Sequence, residues 1–283
     1  MLPFGLALAS GLTWGSADFV GGLMSRRLPT AVVMVVSQGV GLILTTVLVI
    51  ALGEPRPEAR FLLAGALGGL AAAIGLASLY RGLAVGRMSI VAPTASLSGA
   101  VPVIVGFLQG ERPTPLQLAG MAIAGAGVLL AVRTPEPPGE TAPGGAGTRG
   151  IGLALLAALF LGLFVTSLDV AGEASPLWAS LTVRVVSVPL FVVAAVATAR
   201  HARRPTGRQV GILAGVGALD NGANVMFAFA AREGLLTLVS VLGSLYPVAT
   251  VLLARWFLHE RLARWQVAGV VAAFVGVGLI AAG

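Results

Sequence analysis

A few charged and amide side chains stand inside stretches that are otherwise apolar, and these residues could do chemistry. Arg184 lies in LTVRVVSV, Asp220 and Asn224 lie in GALDNGANV, and Gln38 lies in VVSQGVG. Placing an arginine or an aspartate at the centre of an apolar helix in a bilayer costs about 2.5–3.5 kcal/mol. Such side chains are therefore expected to face a polar cavity or each other, where they are candidates for binding or for proton exchange.

Arg184 and Asp220 fall in consecutive apolar segments, so one interpretation is a buried ion pair between two antiparallel helices. In the other, Arg184 binds a carboxylate of a solute, or Asp220 exchanges a proton. Asn224 shares a helix face with Asp220 and is expected to line a cavity or to bond a neighbouring helix, whereas Asn221 is turned about 100° away. Gln38 occupies nearly the position in the first half that Arg184 occupies in the second half. The two residues are therefore expected either to flank one transport cavity or to form polar contacts between packed helices.

Three aromatic residues, Trp14, Tyr80 and Tyr246, lie in segments that also carry polar residues or prolines. Such rings can bind an apolar or cationic solute by stacking and by cation–π contact. Tyr246 is the preferred candidate, because the adjacent Pro247 removes a backbone hydrogen bond near the middle of its segment. Asp18 follows Trp14 by four residues. Its place near the end of the first segment favours a solvated or interfacial carboxylate, with proton coupling as the alternative.

The composition indicates the kind of fold that must position these residues. The chain has 283 residues, of which 57% are hydrophobic and 10% are charged. A soluble domain carries about 25% charged residues, so an all-α integral membrane protein is predicted. Crossing a bilayer takes about 20 apolar residues per helix. The apolar runs predict ten transmembrane helices, at approximately 2–22, 30–52, 61–81, 88–108, 114–132, 150–170, 176–198, 209–230, 235–257 and 264–281.

A segment rich in proline and glycine, RTPEPPGETAPGGAGTRG, separates the first five predicted spans from the last five. Such a sequence opposes helix formation and is typical of a linker. The domain boundaries expected from it are a first five-helix repeat at 1–132, a linker at 133–149 and a second repeat at 150–283.

The two halves resemble each other in sequence. A shift of 149 residues makes nine positions identical between 111 and 130, including Glu111 with Glu260 and Gly120 with Gly269. An odd number of spans in each repeat places the second repeat in the opposite orientation, as in many secondary transporters. The predicted fold is therefore ten transmembrane helices arranged as two inverted five-helix repeats.

These motifs resemble a known family. The chain combines ten spans in two halves, the pair Trp14–Gly15 in the first span, and a Glu-Arg corner before the last span of each half, at Glu111 and Glu260. In this it resembles the EamA-type exporters of the drug/metabolite transporter superfamily, above all in SLYPVATVLLARWFLHERLARWQVAG. The resemblance covers nearly the whole chain. It implies export of amino acids and related metabolites or of cationic drugs, and it implies cytoplasmic termini.

The arginines give a different prediction for the orientation. All 18 basic residues are arginine, and alternating the loops across ten spans puts 13 of them on one side and four on the side of both termini, while Arg184 lies inside a span. By the positive-inside rule, the side with 13 arginines is cytoplasmic and the termini are outside.

The small residues and the Glu-Arg corners are expected to have structural roles rather than to bind the solute. The pairs Gly65/Gly69, Gly120/Ala124 and Gly269/Ala273 are each spaced four apart on one helix face, which favours close helix packing, with a homodimer contact of the fifth and tenth helices as the alternative. Glu111 and Glu260 are expected to cap helices and pair loops, with a gate as the alternative.

The function predicted is a secondary transporter, an exporter or exchanger, of small organic metabolites, amino acids foremost. It would work by alternating access around a central cavity, with Trp14, Gln38, Tyr80, Arg184, Asn224 and Tyr246 as solute-binding residues and Asp220 and Asp18 as coupling residues. The alternative is multidrug or cation efflux by proton antiport. No GxxxxGK loop is present to use a nucleotide, so an ion or solute gradient must supply the energy.

An intramembrane enzyme is the competing class. The two histidines, His201 and His259, lie in loops, and no HExxH motif or cysteine is present to build a metal site or a nucleophile. We therefore expect no enzyme, no cofactor, no metal and no nucleic-acid partner. The expected partners are a small-molecule solute, the lipid bilayer and protons, and the expected location is the cell inner membrane, as a multi-pass monomer rather than a homodimer.

Overall fold

The computed structural model describes residues 2–25, 27–85, 94–131, 146–198, 205–258 and 263–283, and within these ranges it contains helices, turns and loops but no strand. A short 3-10 turn, Ser96–Gly99, leads into the fourth helix. The helices are α1 (Leu2–Ser25), α2 (Thr30–Ala51), α3 (Ala59–Val85), α4 (Ala100–Leu108), α5 (Pro115–Ala131), α6 (Ala146–Gly172), α7 (Pro176–Thr198), α8 (Gly207–Glu233), α9 (Leu236–Gly243), α10 (Tyr246–Leu258) and α11 (Arg264–Ala282).

The helices follow the hydropathy pattern closely, because apolar runs of this length satisfy their backbone groups only as helices. Six of the helices in the described ranges are long and apolar enough to cross a membrane: α2, α3, α6, α7, α8 and α11. Shorter apolar helices occupy Leu97–Leu108 and Pro115–Ala131. The first part of the predicted fourth span, up to residue 93, and most of the predicted linker lie outside the described residues.

One predicted helix is two helices. The run 235–257 is predicted as one span in which Pro247 removes a backbone hydrogen bond, and in the structure one helix ends at Gly243 and another starts at Tyr246. At the break, the Leu245 amide donates to the Leu242 carbonyl, a tighter bond than the helical one. The cause is Pro247, which has no N–H group to donate to the carbonyl of Gly243.

The helix pairings exchange between the two halves of the chain. In one extensive pairing α1 packs on α8, and in another α6 packs on α3, which is the same pairing with the halves interchanged. The same holds at single glycines: Gly15 of α1 approaches Tyr246 and Ala249, and Gly162 of α6 approaches Ser98 and Val101. A close approach of this kind needs a residue without a Cβ atom.

Helices α5 and α11 cross antiparallel through glycines that correspond in the two halves. A Cβ atom on Gly120 would lie 2.8 Å from the Gly276 carbonyl oxygen, and one on Gly127 would lie 2.7 Å from that of Gly269. Gly120, early in α5, meets Gly276, late in α11, whereas Gly127, later in α5, meets Gly269, earlier in α11. The two helices therefore run in opposite directions. The predicted packing role of these small residues is therefore confirmed, and this face is occupied within the chain.

The first turns of α5 and α11 are capped in the same way. The Thr114 amide donates to Gln117 Oε1 at 2.9 Å, and the Ala263 amide donates to Gln266 Oε1 at 2.9 Å. These positions correspond under the shift of 149 residues. The shared hydrogen bond indicates that the sequence similarity of the halves extends to local backbone geometry.

Both ends of the chain lie at one end of the helix bundle. A Cβ atom on Gly234 would lie 3.0 Å from the Pro3 side chain, and one on Gly283 would lie 2.8 Å from Thr114 Oγ1. The loops after α4 and after α8 therefore stand beside the two termini. We call this the terminal end of the bundle.

The α5–α11 crossing makes a testable prediction. Gly127→Ala would press a methyl group against backbone atoms of Gly269 and Ala273 that cannot move aside, so we expect a loss of about 1–3 kcal/mol in unfolding free energy. Gly125→Ala, on the same helix with nothing within 4 Å, is the matched control. It should leave stability equal or slightly higher. Thermal unfolding in detergent measures both, and equal midpoints would contradict the packing.

Candidate functional site

A cavity lies inside the bundle, and the empty space within it, including the part that is open to the surroundings, is about 890 Å³. Its wall is largely apolar, with a few carboxylate, amide and hydroxyl groups. Both halves of the chain contribute to it: Trp14, Asp18, Gln38, Ala72, Leu76, Leu79, Ser98, Gly99, Pro102, Leu161, Phe164, Val165, Val183, Asp220, Asn224, Phe227, Ser240, Gly243, Ser244 and Tyr246.

The structure gathers most of the residues that the sequence singled out around this cavity. Six of them line it, namely Trp14, Asp18, Gln38, Asp220, Asn224 and Tyr246. Arg184 lies directly behind the wall with no exposed side-chain area. For Tyr80 only the helical backbone in α3 belongs to the described structure. Residues that are far apart in sequence thus meet at one place.

The predicted ion pair between α7 and α8 is present. Arg184 Nη2 donates to Asp220 Oδ2 at 2.9 Å, and Gln38 Nε2 donates to the same oxygen at 3.1 Å. A further bond runs from Arg184 Nη1 to Gln38 Oε1. The Asp220 side chain keeps 23% of its surface exposed, whereas that of Arg184 keeps none. Direct contact of Arg184 with a solute, as one sequence interpretation had it, would first require Asp220 or Gln38 to release the guanidinium.

Asn221 is the other anchor of this network. Its Oδ1 atom accepts from Arg184 Nε at 2.9 Å, from Thr45 Oγ1 at 2.6 Å and from Ser180 Oγ at 3.0 Å. These bonds tie α2, α7 and α8 together at a depth where an unpaired polar group is costly. Asn221 therefore holds the arginine in place, and the arginine in turn fixes Asp220 at the cavity wall.

Sequence reasoning missed the hydroxyl partners and underrated Asn221. The turn of about 100° from Asp220 takes Asn221 away from the cavity but into the groove between α2 and α7. Helical spacing could have signalled the partners. Thr45 follows Gln38 by seven residues and Ser180 precedes Arg184 by four, so each shares a face with a predicted polar residue.

The aromatic residues of the cavity are held by specific contacts. Trp14 Nε1 donates to Asn224 Oδ1 at 2.8 Å, and its ring lies 5.5 Å from that of Phe227, centroid to centroid. Asn224 was expected either to line the cavity or to bond a neighbouring helix, and it does both. Tyr246, the first residue of α10, shares a side-chain hydrogen bond with Ser98, which lies in the 3-10 turn before α4.

Asp18 is a polar group of the cavity without a hydrogen-bond partner among the described residues, and Ser240 Oγ is another. The Asp18 side chain is exposed and lines the cavity, and no side chain or backbone N–H group in the described ranges donates a hydrogen bond to it. It lies 15 residues beyond Pro3 in the sequence, about 22 Å along the axis of α1. The carboxyl group is therefore far from the terminal end, and it lines the cavity.

Hydrogen bonds link the two halves at the terminal end. The Leu236 amide donates to Glu111 Oε1 at 2.6 Å and the Thr237 amide donates to Glu111 Oε2 at 2.8 Å. Ser175 Oγ donates to Glu54 Oε2 at 2.8 Å. Glu111 is a cap, as expected, but it caps the distant helix α9 rather than the helix that follows it, and so links the loop after α4 to the second half. Glu260 lies outside the described residues.

The Glu111 cap predicts a sizeable effect on stability. Glu111→Ala would leave the Leu236 and Thr237 amides without acceptors at the start of α9, so we expect a loss of about 1–3 kcal/mol. Glu58→Ala removes a carboxylate whose side chain is 72% exposed and serves as the control. Thermal unfolding in detergent compares the two variants with the unchanged protein, and equal midpoints for all three would reject the capping role.

Comparison with known proteins decides what kind of bundle this is. The profile of the EamA-like transporter family matches residues 1–133 and 148–282. The chain belongs to the EamA-like transporter family. EamA-like proteins form part of the drug/metabolite transporter superfamily. The family that the Glu-Arg corners and the Trp-Gly pair suggested is therefore confirmed.

A solved structure titled only as the crystal structure of a protein shares the fold. It aligns with 98% of this chain and 95% of its own at a TM-score of 0.81, with 15% sequence identity. The search of curated proteins finds no match. The family assignment makes this chain a membrane transporter, and it is consistent with the expectation that the chain is not an enzyme.

Proposed function

We propose that this EamA-like protein is a secondary transporter that moves small organic metabolites by alternating access around the central cavity. The observation that carries the proposal is the cavity itself: both halves of the chain line it, and hydrogen bonds at Glu111 and Glu54 join the halves at one end. Releasing those contacts while closing the opposite end would carry a solute across. Export or exchange is the proposed direction of use.

We further propose the architecture of ten spans in two inverted repeats, with the repeats at 1–132 and 150–283 and a linker at 133–149. The exchanged pairings α1–α8 and α6–α3 support it, as does the antiparallel crossing of α5 with α11. Two copies related by a two-fold axis in the membrane plane place corresponding helices antiparallel. Helices α1, α4, α5, α9 and α10 would complete the spans beyond the six that are long and apolar enough on their own.

Amino acids and related metabolites are the proposed solutes, with Trp14, Gln38, Asn224 and Tyr246 at the solute and Tyr80 near it. Arg184 would position Asp220 rather than bind the solute directly. Multidrug or cation efflux by proton antiport is the second candidate, and the unpaired carboxylate of Asp18 favours it. In either case Asp18 and Asp220 are the proposed coupling groups, because both are carboxylates on the cavity wall.

The proposed location is the inner membrane, in a multi-pass monomer surrounded by lipid. Large apolar side chains such as Ile43, Leu63, Val193 and Phe257 point outward, as expected of a lipid-facing surface. The arginine count and the family resemblance predict opposite orientations. A topology reporter fused after Gly283 distinguishes them, because it is active outside in the first case and inside in the second.

Counterflow in proteoliposomes tests the transport function. Vesicles preloaded with an unlabelled amino acid mixture are diluted into a trace of the same radiolabelled amino acids. A carrier gives saturable, transient accumulation of label that depends on the internal solute. Passive flux without saturation, or no flux in any mixture, would reject the proposal.

A further inference from the structure

We propose that Asp18 is the binding partner of a protonated amine, so that the solute of this transporter carries an ammonium group on an apolar or aromatic body. This inference rests on the proposed transport function and assigns the chemical class of its solute. It differs from the expectation that Arg184 would select a carboxylate. It follows from the distribution of charge, rings and apolar surface around the cavity.

One carboxyl group of the cavity wall has no cationic partner among the described residues. Arg184 and Asp220 neutralise each other through a 2.9 Å contact, and the guanidinium has no exposed surface. Asp18 has no such partner and interacts electrostatically with Asp220, another carboxylate. No arginine or histidine in the described ranges lines the cavity. The site therefore attracts a cation and repels an anion.

The walls around Asp18 favour an organic cation over a metal ion. Trp14 lies one helical turn before Asp18 on the same face of α1, and Tyr246 interacts electrostatically with the Asp18 carboxyl. Aromatic faces attract ammonium groups, and the attraction grows when water is excluded. A metal ion would need several oxygen ligands, and no group of three or more potential metal-binding side chains is found in the described part of the chain.

The remaining wall can hold the body of such a solute. Leu76, Phe164 and Phe227 belong to the apolar lining and offer a phenyl-bearing molecule an apolar surface to pack against. An ammonium group at Asp18 would compensate the only carboxylate that lacks a cation in the described cavity wall. The apolar body would meanwhile leave water for the opposite wall. A single solute can make both the ammonium contact and the apolar contact only if its charge is at one end of the molecule.

Calorimetry on the purified full-length protein tests the inference with three probes that share a phenyl body: phenethylammonium chloride, 2-phenylethanol and phenylacetate. We expect phenethylammonium to bind at least tenfold more tightly than the other two. Asp18→Asn should reduce that affinity by at least tenfold, and Asp18→Glu should retain most of it. Because Asp18 has no bonding partner to lose, the thermal midpoint of Asp18→Asn should stay unchanged. Glu58→Gln, an exposed carboxylate outside the cavity, is the control.

Several results would overturn the inference. They are equal affinity for the ammonium and the neutral alcohol, tighter binding of phenylacetate, no binding of any probe, or unchanged amine binding in Asp18→Asn. The proposed transport function is tested separately by counterflow. Saturable amino acid exchange at the same rate in Asp18→Asn would remove the role of Asp18 and leave transport standing. The absence of saturable exchange of any solute in the unchanged protein would remove both.

Discussion

Arg184→Met is expected to lower the free energy of unfolding by about 3–5 kcal/mol, because it leaves the Asp220 carboxylate, which is only 23% exposed, without its partner. The substitution also removes the Arg184 donor from Asn221 and from Gln38, so the polar contact of α7 with α2 and α8 is lost. In thermal unfolding this corresponds to a fall on the order of 10 °C. The double variant Arg184→Met with Asp220→Leu removes both charges and should recover a large part of the loss.

The comparison between the single and the double variant decides whether the two residues act as a pair. Arg60→Met is the control, since the Arg60–Glu58 pair is 72% exposed on both sides and such pairs contribute less than about 1 kcal/mol. Equal damage in the single and double variants would mean that Arg184 stabilises the bundle by some means other than Asp220.

A disulfide between residues 106 and 237 is expected to stop transport completely. A Cβ atom on Gly106 would lie 2.7 Å from Thr237 Cγ2, so cysteines at these positions can bond after the nearby Glu111 side chain shifts slightly. The bond would join α4 to α9 at the terminal end. The chain has no native cysteine, so the pair can be introduced without other thiols. Oxidation of Gly106→Cys/Thr237→Cys should abolish amino acid counterflow, and a reductant should restore it.

The single-cysteine variants isolate the effect of the lock. Each of them should exchange solute with or without oxidant. Normal counterflow in the oxidised 106–237 pair would show that the terminal end does not open during transport.

The helices and the ion pair could be predicted from the sequence because both follow from the high cost of polar groups in hydrocarbon. Apolar runs of about 20 residues leave the backbone few alternatives to helix. The same cost made Arg184 and Asp220 conspicuous, and it required them to find partners on neighbouring helices. Pro247 likewise marked the place where the ninth predicted span breaks.

Contacts between distant segments could not be predicted in the same way. Glu111 accepts from amides 125 and 126 residues away, and nothing in its own loop indicates that partner. Asn221 was expected to turn away from the polar face, and only the position of α2 beside α7 makes it the acceptor for Arg184. Asp18 was expected to be a solvated or interfacial carboxylate, with proton coupling as the alternative. Its place on the cavity wall depends on helices of the other half of the chain, which its own segment does not indicate.

Cysteine accessibility at the cavity wall tests alternating access most directly. Leu76→Cys would place a single thiol on the wall, away from the polar network. In proteoliposomes, a membrane-impermeant thiol reagent should label it from either side of the membrane when the protein is free to cycle. With the 106–237 disulfide also present and oxidised, labelling should persist only from the side opposite the terminal end. Labelling from neither side, or from both sides in the locked protein, would contradict a cavity that opens to one side at a time.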